Sequence, residues 1–145
     1  MPNDPRSEIL LDTHVWVWLV DDKREELGPI TIRSLERASR AGALIVSVIS
    51  VWEVAMLEAK GRVRLSLEIE EWVEKALSVP GLLLTPLDPA IAIDSTRLPD
   101  WTEGDPADRI LVATARRRGA RLTTRDRPIL AYGELGHVSV LDASR

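Results

Sequence analysis

Five carboxylates, Asp12, Glu53, Asp105, Asp108 and Asp126, fall where an α/β chain keeps its chemistry. Asp12 ends the apolar run ILLD, and Glu53 follows the apolar run ALIVSV by a few residues. Asp105 and Asp108 open the most regular helical segment, DPADRILVATARRR, and Asp126 closes LTTRD. Ligands of open parallel sheets bind beyond the carboxyl ends of the strands. Each of these acids lies at or near a strand–helix junction or a helix start. If the strands are neighbours at the centre of a sheet, the acids converge on one cleft. Crowded carboxylates repel one another unless a cation sits among them, and oxygen donors without Cys or His select a hard ion, Mg²⁺ or Mn²⁺. Such an ion makes a bound water nucleophilic and steadies charge on a phosphate, which suits phosphodiester hydrolysis.

Each acid also has a purely local reading. Asp12 can cap a helix starting at Thr13, and Asp126 its own short helix. Ser50-Val51-Trp52-Glu53 has the form of a capping box, with Ser50 at the N-cap and Glu53 reaching back. Asp105-Pro106-Ala107-Asp108 has the form of a helix start, an acid at the cap and Pro at the first position. Asp12 resists that reading most, because a charge abutting a buried strand is costly without a partner. Thr13, Ser47, Ser50 and Thr124 stand beside the acids as supports for metal waters or phosphate oxygens, or as caps. His14 and His137 are the only histidines. Neither is expected to be catalytic; the general base is expected to be a cleft carboxylate or a metal-bound hydroxide.

The elements that must position these groups follow from periodicity. Strands are expected over residues 8–12, 43–48, 82–85, 120–123 and 137–141. Helices are expected over 13–20, 29–41, 50–59, 67–77, 88–96, 105–118 and 126–132, with a polar loop over 98–104. Strands alternating with helices mean an α/β fold with a mainly parallel five-stranded central sheet. The 145 residues fit one domain over 8–145, after a polar arm over 1–7 that lacks the apolar core of a secretory signal. No apolar run approaches the roughly 20 residues of a membrane span. The absence of cysteine excludes disulfides and thiolate metal sites, and suits a cytoplasmic location.

The net charge of −4 argues against a general nucleic-acid binder. Its distribution matters more. With four of the 23 acids on a metal, the remaining 19 balance 19 bases. Seven arginines and one acid lie between Arg109 and Arg127, so a local basic surface is available, with Arg109 and Arg125 as candidate RNA contacts. Arg116, Arg117 and Arg118 equally suit the negative end of a helix. Of the five tryptophans, Trp16, Trp18, Trp52 and Trp72 lie in apolar helical segments and read as core or interface. Trp101, in the polar loop, is the candidate for stacking on substrate.

Taken in order, these segments resemble a known family. LLDTHVWVWLV (residues 10–20), SVISVWEVAML (47–57) and GDPADRILVATARRRGARLTTRD (104–126) are similar to the four motifs of PIN-domain ribonucleases of the VapC toxin type. The agreement runs over nearly the whole chain after Ser7. It implies a PIN-like three-layer α/β/α fold and an acidic quartet of Asp12, Glu53, Asp108 and Asp126 around Mg²⁺, which Mn²⁺ can replace. Asp105 matches a further acid of one subgroup, as a metal ligand or a helix cap; the loop before it departs from that subgroup, with Glu103-Gly104 where a His-Arg pair is common. The resemblance also implies an RNA substrate, a homodimer and a cognate VapB-like antitoxin, and the expected reaction is attack of metal-activated water on single-stranded or looped RNA. Three alternatives stay open: a receiver-like signalling domain, a PIN-like fold kept only for protein binding, and a nuclease acting on DNA. The first lacks a phosphoacceptor Asp at the end of a central strand, and the chain's three lysines, Lys23, Lys60 and Lys75, fall far from the final strands. All four acids of the quartet are present, which speaks against the second, and 2′-hydroxyl recognition has no linear signature that would separate the third.

Overall fold

Short segments, mostly of Leu, Ile and Val but Arg-Leu-Thr-Thr in the fourth, fold into five strands: β1 (Ile9–Leu11), β2 (Leu44–Ser47), β3 (Leu82–Thr85), β4 (Arg121–Thr124) and β5 (Val140–Asp142). The computed structural model describes residues 7–101 and 104–145. The polar arm expected over 1–7 therefore lies, apart from Ser7, outside the described residues. The strands form one parallel sheet in the order β3-β2-β1-β4-β5. Leu10 stands in register with Ile45 on one side and Leu122 on the other. Such a sheet is covered on both faces, so β1 and β2 are buried at every position rather than alternating.

Among the described residues seven α-helices cover it: α1 (Thr13–Val20), α2 (Pro29–Arg40), α3 (Val48–Ala59), α4 (Ile69–Leu77), α5 (Pro89–Asp94), α6 (Pro106–Arg118) and α7 (Arg127–Glu134). Alternate residues of β1 divide the core. Ile9 and Leu11 pack with Trp16, Leu35 and Trp72 of α1, α2 and α4, whereas Leu10 packs with Ile91, Leu111 and Ile129 of α5, α6 and α7. This is the expected three-layer α/β/α architecture. Trp16 and Trp72 are fully buried and meet edge to face at 5.0 Å. The Trp72 indole N–H donates to Asp21 (2.8 Å), which satisfies its polar edge.

The helix starts follow local chemistry. Asp88 accepts from the Ile91 N–H, with Pro89 at the first helical position of α5. Gly119 ends α6 in the left-handed region, φ 66°. Three expected starts are corrected: α4 begins at Ile69, capped by Glu68, and not at 67, β5 begins at Val140 and not at 137, and the third is in α3. Helix α3 begins at Val48, not Ser50, because the Ser47 hydroxyl caps it by accepting from the Ile49 N–H (3.1 Å). Ser50 is then inside the first turn, so the capping box with Glu53 does not form. No described helix is long and apolar enough to cross a membrane.

Candidate active site

Chain connections leave β1 toward β2 on one side, while β4 lies on the other, so a crevice opens beyond the carboxyl ends of β1 and β4. Asp12 follows β1 directly and Asp126 follows β4 by one residue. Glu53 comes in from α3, and Asp105 and Asp108 from the start of α6. All five line one cleft of about 380 Å³. His14, Val15, Trp18 and Arg125 line it too.

Buried hydroxyls fix the acids. Asp12 is 9% exposed. One of its oxygens accepts from the Thr13 N–H (2.7 Å), the other from the Thr124 hydroxyl (2.5 Å). The same Thr124 oxygen accepts from the Asp126 N–H (2.9 Å), so one buried side chain ties the first acid to the last. The Thr13 hydroxyl donates to Glu53 and is hydrogen-bonded to Ser50 at 2.9 Å. Released from the cap, Glu53 and Ser50 join α3 to α1 across the site. Asp105 does cap α6, accepting from the Ala107 N–H (2.8 Å), and remains exposed at the rim. Asp126 occupies the N-cap position of α7 but makes no capping bond with its side chain, which is left to the cleft.

The electrostatics match this crowding. Burial, then the charges of Asp12, Asp126, Asp105 and Glu53, push the Asp108 carboxyl up to about 8. Burial raises Asp12, against the opposing effect of the Thr124 and Thr13 hydrogen bonds. Burial also raises Glu53, opposed by the Thr13 hydroxyl and reinforced by Asp12 and Asp105. Among the described residues no group of three or more His, Cys, Asp and Glu side chains is gathered so as to hold a metal ion by itself. The donor chemistry still fits a hard divalent ion. The oxygens are all carboxylate or hydroxyl, Arg125 is the one Lys or Arg against five acids among the described lining residues, and Mg²⁺ keeps several waters while taking one or two carboxylates.

The other sequence candidates separate. Arg125 lines the cleft. Arg109, half-buried on the second turn of α6, is not among the described lining residues. Arg116, Arg117 and Arg118 end α6, away from its acidic start; Arg116 bonds the His137 carbonyl, Arg117 pairs with Asp94 and Arg118 with Glu8. The local basic surface is thus at the wrong end of the helix for the cleft. Trp101 meets Tyr132 edge-on at 4.7 Å and packs on the core, and it too is outside the described lining. Its loop continues into residues 102 and 103, which lie outside the described residues. His137 stacks on Tyr132 (4.8 Å) and faces Asp100, remote from the acids. Sequence reasoning missed His14 and Trp18 as cleft residues. Their spacing of four on the helix that follows Asp12 puts both on one face.

A three-layer parallel fold with an anionic cleft at its switch point defines the class of protein, and the sequence comparisons narrow it. The sequence model of the PIN domain matches residues 9–135, and the chain belongs to that family. It is 29% identical over 126 residues to Ribonuclease VapC22 of Mycobacterium tuberculosis, covering 87% of this chain and 92% of the relative. Its fold is similar to a chain of DNA-bound VapBC from Salmonella typhimurium (TM-score 0.64, 20% identity, 94% of this chain and 98% of that one). It is also similar to a chain of FitAcB from Neisseria gonorrhoeae (TM-score 0.61, 20% identity, 93% and 97%).

Proposed function

We propose that this chain is a divalent-metal-dependent endoribonuclease, the toxin of a VapBC-type pair. The observation that carries the reading is the meeting of Asp12, Glu53, Asp105, Asp108 and Asp126 in one cleft, with Asp12 buried at its base. The ion, Mg²⁺ or Mn²⁺, would sit among Asp12, Glu53, Asp108 and Asp126, held directly by one or two of them and by the others through its waters, with Asp105 at the outer edge. When bound there, a divalent ion supplies Lewis acidity toward a phosphate oxygen and a water of lowered pKa. The protein's own part is positioning. Thr124 keeps Asp12 and Asp126 in fixed relation, and Thr13 holds Glu53 facing them. Burial and then the neighbouring charges favour the protonated form of Asp108, and a cation held there would displace that proton.

The naming of the Mycobacterium relative supports RNA as substrate, and the VapBC structural neighbours support a VapB-like antitoxin as partner. An antitoxin segment carrying Arg or Lys has an electrostatic reason to enter a cleft of this charge. Pairing with a second copy of the chain belongs to the same reading.

The test is cleavage of single-stranded RNA, with single-stranded DNA of the same sequence alongside, in Mg²⁺ and in EDTA. Cleavage is expected for RNA with Mg²⁺ only. Asp12→Ala and Asp108→Asn are each expected to lower the rate at least ~10³-fold while retaining the helical circular dichroism spectrum. Full activity in both purified variants removes these residues from catalysis. Equal cleavage of DNA removes the ribonuclease assignment.

A further inference from the structure

One wall of the acidic cleft is not acidic. Trp18 rests its inner part on the first core cluster and borders the cleft with the remainder, while His14, one turn earlier, stands 5.9 Å from it, ring to ring. Arg125, from the turn between β4 and α7, lies with its guanidinium carbon 5.6 Å from the Trp18 ring centroid. Glu26 holds it from behind: Arg125 Nη1 donates to the Glu26 carboxylate (3.0 Å) and to its carbonyl (3.4 Å). Both bonds use one nitrogen, and the Arg125 side chain is 45% exposed, so the other edge of the fork keeps its donors for a ligand. An ion pair this exposed is a weak hold, readily exchanged for a phosphate.

A polyanion meets repulsion from the ionised carboxylates of the cleft before any cation is bound. Among the described residues Arg125 is the only Lys or Arg lining the cleft, and the run Arg116 to Arg118 ends α6 away from it. The guanidinium lies over the Trp18 ring, so an unpaired base of any identity would take its place on the indole as Arg125 turns to a phosphate. We propose that Trp18 and Arg125 form a nucleotide subsite beside the acids, Trp18 stacking an unpaired base and Arg125 holding a flanking phosphate. This rests on the ribonuclease reading and adds to it the two side chains that would seat the substrate beside the acids. A basic antitoxin side chain fits this wall less well, because Arg125 repels it while the carboxylates opposite attract it.

The experiment measures kcat and KM on a fluorescent single-stranded oligoribonucleotide with one cleavage site, in Mg²⁺, for wild type, Trp18→Leu, Trp18→Phe, Arg125→Gln and Arg117→Gln. Trp18→Leu is expected to raise KM on the order of ten-fold or more, and Trp18→Phe, which keeps a ring, by a few-fold at most. Arg125→Gln is expected to raise KM and to reduce the salt dependence of binding by about 0.7 in log–log slope. Arg117→Gln changes neither. An abasic nucleotide next to the cleavage site should weaken binding by wild type, and by Trp18→Leu no further, a pattern that loss of packing alone does not produce. Unchanged KM in folded Trp18→Leu and Arg125→Gln overturns the subsite, as does weakened antitoxin inhibition with RNA binding intact. If wild type cleaves no RNA, the ribonuclease reading fails by itself. Anisotropy of the same oligonucleotide on wild type and Trp18→Leu then still decides the subsite, equal affinity overturning it.

Discussion

Asp108 is where the crowding of the cleft is most exposed to measurement. Its carboxyl is pushed up to about 8 by burial and then by four neighbouring acids, and burial raises Asp12 and Glu53 as well. A carboxyl whose pKa is higher folded than unfolded stabilises the fold fully below its unfolded value, near 3.8, and the contribution is lost as pH rises through the folded value. The metal-free protein should therefore lose thermal stability between about pH 4 and pH 8. Mg²⁺ should restore it, and restore more at higher pH, because the ion competes with the proton for the same carboxylates. Melting curves across that range in EDTA and in Mg²⁺ measure both effects. Asp108→Asn, which cannot ionise, should flatten the metal-free slope. A slope unchanged by that substitution would mean that Asp108 is already ionised at neutral pH.

Helix starts deliver four of the five acids, and α6 lets capping be separated from charge. Asp105 caps the helix through the Ala107 N–H, and Pro106 at the first position reinforces the start. Asp105→Ser keeps a capping oxygen and drops the charge, whereas Asp105→Ala drops both. Asp105→Ala is expected to cost about 1 kcal/mol in urea denaturation and Asp105→Ser only a few tenths. Both should weaken Mg²⁺ binding equally, by less than about ten-fold, as befits an acid at the rim. Much of this element layer was legible in the sequence. The strands read as apolar runs with acids at their ends, and Asp-Pro marked two helix starts. What stayed hidden has physical causes. Ser50–Glu53 matches a capping box in letters, but Ser47 takes the cap and the Thr13 hydroxyl, 40 residues away from Glu53, claims that side chain. In THVWVWLV nearly every position is apolar, so no polar face marked His14 and Trp18 as residues of the cleft. The arginine run revealed its charge and not its direction, since which end of α6 meets the cleft is set by the sheet order.

At the scale of the molecule, the acidic cleft and the arginine-rich end of α6 lie at opposite ends of one helix, and a third surface remains unaccounted for by either. Trp52 is 56% exposed and Val48, one turn before it on α3, is 39% exposed. Both belong to the helix that carries Glu53, while Val54 of the same helix is fully buried. The reading of Trp52 as core is thereby excluded, and a role in pairing two copies of the chain is the proposal left. A tryptophan at the centre of such a contact typically carries more than 2 kcal/mol of the association energy. Trp52→Glu should therefore raise the dimer dissociation constant at least ~30-fold in sedimentation equilibrium, with the monomer's circular dichroism unchanged, because a side chain this exposed contributes little to the fold. Because Trp52 adjoins Glu53, pairing would also steady one of the proposed metal ligands. Trp52→Glu should then bind Mg²⁺ more weakly at protein concentrations where wild type is paired, and equally well where both are monomers. A wild-type chain that stays monomeric at high micromolar concentration, or a Trp52→Glu variant that pairs as tightly as wild type, would remove α3 from any interface between copies.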